Sequence, residues 1–210
     1  MTRLEALLPE RARIWLADAR TAVSDDVTAV DGLFAVAARR CGRDPLDTGE
    51  GEAGWTVDDA VRALLLAALP LRGEQLAAVA TRLYRLGGAA ERRAVLRSLP
   101  LLEQASGLGD RALRLTEDAL RTNDPRLIAA ALGPYGARHL DAHAFRQAVL
   151  KCVFVGIPLA GVAGLDERAD AELARMMADF ATERRAAARP VPPDVLAFLT
   201  THPAPTEATT

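Results

Sequence analysis

The stretch TVDDAVRALLLAALPL, residues 56–71, contains the features that decide the fold. Thr56 followed three residues later by Asp59 resembles a capping box, a side-chain arrangement that starts a helix. The apolar run behind it ends before Pro70, which cannot continue a helix without losing a backbone hydrogen bond. Because alanine and leucine are among the strongest helix formers, this stretch predicts a strongly apolar helix.

The composition of the whole chain indicates an all-α protein. Half of the 210 residues are hydrophobic, but only 4 % are aromatic, so alanine, leucine and valine must build the core. Residues enriched in strands are sparse. Glycine and proline signals predict one helical domain over residues 1–200 with about nine to ten helices, including a long amphipathic one over about residues 166–189. We expect a mobile loop at residues 43–55 and a disordered tail at residues 201–210.

A weak internal rhythm suggests how the helices are arranged. The triplet LPL at residues 69–71 returns at residues 99–101, and LGP follows at residues 132–134. Each interval has room for two helices, and in this scheme a helix ends before Pro100. The spacing favours stacked helical hairpins of the α-solenoid kind, with a helical bundle as the alternative.

Charge and hydropathy limit the partners and the location. The formal net charge is −2, and arginine alternates with aspartate and glutamate, which does not favour a nucleic-acid partner. The first fifteen residues contain charges that interrupt the apolar core a signal peptide requires. The longest apolar run, residues 63–71, is far short of the roughly 20 residues of a membrane span. We therefore expect a cytoplasmic protein without a transmembrane segment.

Few residues carry recognisable chemistry. Cys41 and Cys152 are too few for a disulfide framework, so we expect two buried, reduced thiols. The chain has no glycine-rich phosphate loop and no nucleophile elbow, so no cofactor and no particular reaction are predicted. The run Glu91–Arg92–Arg93 is interpreted as a solvated helix start.

The helix expected after Asp141 contains the strongest candidate site. His143, Gln147 and Lys151 follow one another at intervals of four, so they form one stripe along an otherwise apolar helix. Lys151 is the only lysine of an arginine-rich chain. The stripe either lines a pocket in which Lys151 binds an anion, or it is the solvent-exposed edge of a mostly buried helix.

Two further places in the sequence contain candidate site residues. His139 and His143 are four residues apart, a spacing that can share a metal, but Asp141 is expected to cap the helix between them and spoil that geometry, so no metal site is predicted. Asn123, the only asparagine, and Arg126 flank a tight helix–helix junction. That junction is either an ordinary turn or a ligand-facing corner.

Several segments taken together resemble the EboA family, named for the ebo gene cluster of varied bacteria and some algae. The resemblance covers about residues 60–193. It is carried by ERRAVLR (91–97), LPLL (99–102), ALRTNDPR (119–126), ARHL (137–140), QAVLKCVF (147–154), GIPL (156–159), GLDER (164–168) and ELARM (172–176). The family tends to have Trp–Asn where this chain has Phe145–Arg146, which puts a role for those two positions in doubt, whereas His139, Gln147 and Lys151 match.

The resemblance implies a biological context more than a chemistry. The ebo cluster is associated with secondary metabolism, and its products with moving a metabolite across the cytoplasmic membrane. The leading hypothesis is therefore a non-enzymatic adaptor or small-molecule binder, with other ebo-cluster proteins or a small metabolite as partners. One alternative is an enzyme of unrecognised type acting around Lys151. Another is an architectural helical scaffold whose apolar excess forms a homodimer interface.

Overall fold

The computed structural model describes residues 3–47 and 54–205, and these residues form an all-helical structure. They contain thirteen α-helices and three short 3-10 helices, at Val27–Ala29, Gly109–Ala112 and Leu159–Gly161. The α-helices are α1 (Arg3–Ala6), α2 (Glu10–Asp25), α3 (Val30–Cys41), α4 (Val57–Ala67), α5 (Gly73–Leu86), α6 (Ala89–Ser106), α7 (Leu113–Arg121), α8 (Pro125–Ala131), α9 (Pro134–His139), α10 (Ala142–Val155), α11 (Leu165–Arg168), α12 (Ala171–Ala186) and α13 (Pro193–Thr201). The all-α prediction is confirmed.

The helices outnumber the nine to ten expected because several are too short to show a periodic pattern. Helices α1, α9 and α11 have only four, six and four residues. The prediction of one long helix over about residues 166–189 is wrong, because Ala169 is extended (ψ 118°) and separates α11 from α12. Asp170 then caps α12, accepting a hydrogen bond from the Leu173 amide at 2.9 Å.

The expected helix end before Pro100 is also wrong, since α6 continues through Pro100 to Ser106. A proline inside a helix removes one backbone hydrogen bond. Leu99 and Leu102 on either side of it are fully buried, and this burial compensates for the lost bond. The three sequence triplets thus occupy different places: Pro70 lies between helices, Pro100 inside one, and Pro134 at the start of another.

The backbone divides into two compact units, an N-terminal unit of Met1–Ala131 and a C-terminal unit of Leu132–Thr210. The N-terminal unit is built around α4, in which every residue from Val57 to Leu66 is buried. Helix α4 packs most extensively on α6 and α3, and α2 also contacts it. The opening stretch indicated a strongly apolar helix, and α4 is buried on all sides, but its buried residues also include the charged Asp58, Asp59 and Arg62.

The C-terminal unit packs α10 on α12 and α12 on α13. Asp141 caps α10 as expected, accepting a hydrogen bond from the Ala144 amide at 2.7 Å. Arg168 joins α9 to α10: its guanidinium donates to the carbonyls of Ala137 and Leu140, at 2.7 and 2.8 Å, and lies over the Phe145 ring. Those carbonyls sit at the end of α9, where a helix leaves acceptors unpaired.

Residues 48–53 of the predicted mobile loop and residues 206–210 of the predicted tail lie outside the described residues. The described ends of the loop pair with each other: the Leu46 amide donates to the Trp55 carbonyl and the Val57 amide to the Asp44 carbonyl, both at 2.9 Å. At the start of the predicted tail, His202 stacks on the Phe198 ring, with 4.9 Å between ring centroids.

Candidate functional site

Buried charged side chains of α4 form ion pairs with one another and with α6, and this cluster is found in place of the predicted capping box. The Thr56 side chain makes no helix cap, and its hydroxyl instead donates to Asp58 at 2.7 Å. Arg62, fully buried, donates to Asp58 at 2.5 Å, to Glu91 at 3.1 Å and to the Phe34 carbonyl at 2.9 Å. The capping-box prediction is wrong because the carboxylates point into the core, where arginines pair with them.

Asp59 is the second buried carboxylate of this cluster. Arg93 and Arg97 approach it at 2.9 and 2.7 Å, and Arg97 also donates to the Gly54 carbonyl. The interpretation of Glu91–Arg92–Arg93 as a solvated helix start is therefore wrong. Glu91 and Arg93 belong to a hydrogen-bonded network that joins α6 to α4. Arg92 instead lies over the Tyr84 ring of α5.

The cluster has a structural role. Among the described residues, every buried side-chain nitrogen and oxygen has a hydrogen-bond partner. Buried charges are tolerated when they are paired and hydrogen-bonded in this way. Because Arg62, Asp58 and Asp59 are all within 1 % of complete burial, no ligand reaches them in this conformation.

The predicted stripe on α10 lies along the outer edge of that helix. His143 and Gln147 are exposed and Lys151 is half-buried. Phe145, Val149 and Cys152 on the other faces are buried. None of these stripe residues lines the clefts described below.

The remaining predicted residues belong to other elements than α10. His139 ends α9, outside α10, and its ring lies 4.4 Å from that of Tyr135. Asn123 is exposed, and Arg126, also exposed, pairs with Asp124 at 2.7 Å. Asn123 and Arg126 belong to the N-terminal unit, whereas His139 and the stripe belong to the C-terminal unit. Within residues 3–47 and 54–205, no three His, Cys, Asp or Glu side chains are grouped to hold a metal ion.

A cleft in the N-terminal unit has the composition of a ligand site. It has a volume of about 780 Å³ and lies between α5, the start of α6, and α7 with the 3-10 turn before it. We call it the arginine cleft, because its lining includes five arginines and two carboxylates, a net charge of +3 in a chain whose total is −2. Its lining comprises Thr81, Tyr84, Arg85, Arg92, Arg111, Arg114, Leu115, Glu117, Asp118 and Arg121.

The floor of the arginine cleft is fixed by hydrogen bonds around Tyr84. The buried Tyr84 hydroxyl donates to Asp118 at 3.0 Å, and Arg121 donates to the same carboxylate at 3.2 Å. Burial, followed by the hydrogen bond to Asp118, raises the pKa of Tyr84 to about 12. Arg92 lies over the Tyr84 ring and donates to the Gly87 carbonyl at 3.1 Å. These groups are oriented by the protein itself.

The rim of the arginine cleft differs from its floor. Arg85 on α5 and Arg114 on α7 are exposed, and neither makes an ion pair or hydrogen bond with another described residue. Arg111 donates to the Leu108 carbonyl at 3.2 Å and lies 3.7 Å from Glu74, whose side chain is 87 % exposed, so that ion pair is weak. Arg85 and Arg114 are thus available to a negatively charged ligand, with Arg111 beside them.

A second cleft, of about 720 Å³, lies in the C-terminal unit between the ends of α10 and α12. Phe154 is 64 % exposed there and meets Phe180 edge-on, with 5.1 Å between ring centroids. Arg184 lies over the other aromatic ring of this pair, Phe180. The lining combines exposed apolar area with two arginines, Arg184 and Arg189, and one carboxylate, Glu183, so its net charge of +1 is smaller than that of the arginine cleft.

Comparison with protein families identifies the chain. The family model described as "Metabolite traffic protein EboA" matches residues 37–200, more than three quarters of the sequence. The chain belongs to the EboA family. No curated protein and no solved structure matches it. Within the described residues, no helix is both long enough and apolar enough to cross a membrane.

The EboA match extends the segment on which the resemblance rested. It begins in α3, about twenty residues before the expected start near residue 60, so it includes Gly54, to which Arg97 donates a hydrogen bond. It also contains every residue of both clefts. The arginine cleft was not predicted from the sequence because its arginines come from three α-helices and the 3-10 helix before α7. The only local signal is the spacing of Arg114 and Arg121, seven apart on one face of α7.

Proposed function

We propose that this EboA-family chain is a non-catalytic small-molecule binder in the cytoplasm that serves metabolite traffic in secondary metabolism, with its ligand in the arginine cleft. It would exchange that ligand with other proteins of the ebo cluster. The observation that carries the proposal is the cleft itself, a concave surface with a net positive charge in a protein of slightly negative total charge.

The size and construction of the cleft support a small ligand. Its volume of about 780 Å³ lies within the roughly 300–1,000 Å³ common for small-molecule sites. Tyr84, Arg92 and Asp118 are held by one another, so the floor needs little reorganisation when a ligand enters. Such preorganisation lowers the cost of binding.

Native mass spectrometry can test the proposal on the full chain, isolated from a bacterium that carries its own ebo cluster. Thr81 is half-exposed in the lining, so Thr81→Trp places a bulky ring in the cleft without changing its charge. Thr21→Trp makes the same change on the exposed face of α2, away from the cleft.

We expect a bound small molecule on the unmodified chain and on Thr21→Trp, and its loss from Thr81→Trp. Circular dichroism of both variants checks that they are folded. A ligand that remains bound to Thr81→Trp would show that the binding site lies outside the arginine cleft. Absence of a bound ligand from the unmodified chain and from both variants would contradict the proposal.

A further inference from the structure

We propose that the arginine cleft recognises a multiply charged phosphate or diphosphate group, bound mainly by Arg85 and Arg114 with Arg111 beside them. This inference rests on the proposed function and names the ligand class of its site. Planar guanidinium groups form paired hydrogen bonds with phosphate oxygens, which makes arginine the residue most suited to such a group.

The charge of the lining favours a polyanion over a single carboxylate. One arginine is enough to bind a carboxylate through two parallel hydrogen bonds. Here the lining has five arginines, and its two acids leave a surplus of three positive charges. A cleft lined by a surplus of this size attracts a ligand of comparable negative charge.

The partners of each arginine separate those that build the cleft from those that can bind. Arg121 is engaged by Asp118, and Arg92 by Tyr84 and the Gly87 carbonyl. Arg85 and Arg114 have no such partner among the described residues. Since they lie on α5 and α7, they reach a ligand from two separate helices.

The two carboxylates of the lining also have different roles. Asp118 accepts hydrogen bonds from Tyr84 and Arg121, so its charge is already compensated. Glu117 is exposed and makes no ion pair or hydrogen bond with another described residue. Its charge opposes an incoming anion, so its removal should strengthen binding.

Calorimetric titration of the full chain with inorganic pyrophosphate, at low ionic strength and without divalent cations, tests these assignments. The double variant Arg85→Gln/Arg114→Gln removes the two unpaired arginines. The matched control, Arg13→Gln/Arg39→Gln, removes two exposed arginines of the same unit outside the cleft, so both variants lose the same charge.

We expect the cleft variant to bind at least about tenfold more weakly, because hydrogen bonds to charged groups are each worth that much or more. The control should stay within about twofold of the unmodified chain, and Glu117→Gln should bind more tightly. Equal losses in both double variants, no gain from Glu117→Gln, or no pyrophosphate binding by the unmodified chain would each overturn the inference.

The two proposals fail separately. A native ligand that is lost from Thr81→Trp but retained by Arg85→Gln/Arg114→Gln would show that the cleft binds a metabolite without using a phosphate, so only the ligand class would be wrong. A ligand retained by Thr81→Trp would contradict both proposals.

Discussion

Replacing Arg62 with methionine should destabilise the protein more than any exposed arginine replacement. Arg62 is completely buried, and its guanidinium bonds to Asp58, Glu91 and the Phe34 carbonyl. Methionine fills part of the same volume but makes none of these bonds. Asp58, only 1 % exposed, would be left with the Thr56 hydroxyl as its remaining side-chain partner.

The magnitude follows from that stranded charge. Breaking a buried ion pair by removing one partner costs about 3–5 kcal/mol, most of it from the uncompensated charge that remains. The control is Arg82→Met, because Arg82 pairs with Asp31 at 2.7 Å while both side chains are more than 40 % exposed. An exposed pair of this kind contributes about 1 kcal/mol or less.

Urea unfolding followed by circular dichroism measures the difference. At an m-value of about 3 kcal/mol/M, the loss lowers the unfolding midpoint of Arg62→Met by about 1–1.7 M. Adding Asp58→Asn should restore part of the stability, because it removes the stranded charge. Equal midpoints for Arg62→Met and Arg82→Met would refute the reasoning, as would a further loss on adding Asp58→Asn.

Three other predictions use separate parts of the structure. Burial raises the pKa of the Cys41 thiol and raises that of Cys152 to about 12. A disulfide reagent should therefore label neither thiol until urea unfolds the chain. Rapid labelling of the native protein would contradict this prediction. Because the pKa of Tyr84 is raised to about 12, neutral Tyr84 stabilises the fold below its unfolded pKa of about 10 and this contribution is lost as the pH rises toward 12. Absorbance titration should show this late tyrosinate step and its absence in Tyr84→Phe. Lys151→Ala, on the outer edge of α10, should leave both the melting temperature and the bound metabolite unchanged, and loss of ligand at an unchanged melting temperature would favour the enzyme or stripe hypothesis instead.

Sequence was sufficient where a local pattern decides the structure. Asp141 caps α10 as expected, because a helix cap depends on neighbouring residues alone. The apolar run behind Thr56 became the most buried helix of the N-terminal unit. In each case one short segment contains all the information.

Sequence failed where partners come from distant segments. Asp59 follows Thr56 at capping-box spacing, yet Arg93 and Arg97, more than thirty residues later, draw it into the core. Pro100 stays inside α6 because buried leucines on both sides stabilise the helix. The arginine cleft likewise depends on segments distant in the sequence, whereas the stripe that contains Lys151 is visible in the local spacing of a single helix.

Arginine footprinting tests the central claim, that the arginine cleft is the binding site, most directly. The full chain is treated with phenylglyoxal with and without pyrophosphate, and the modified residues are located by mass spectrometry. The account predicts that pyrophosphate protects Arg85 and Arg114 while the exposed Arg13 and Arg39 react as before. Equal protection of all four, or protection of neither cleft arginine, would contradict it.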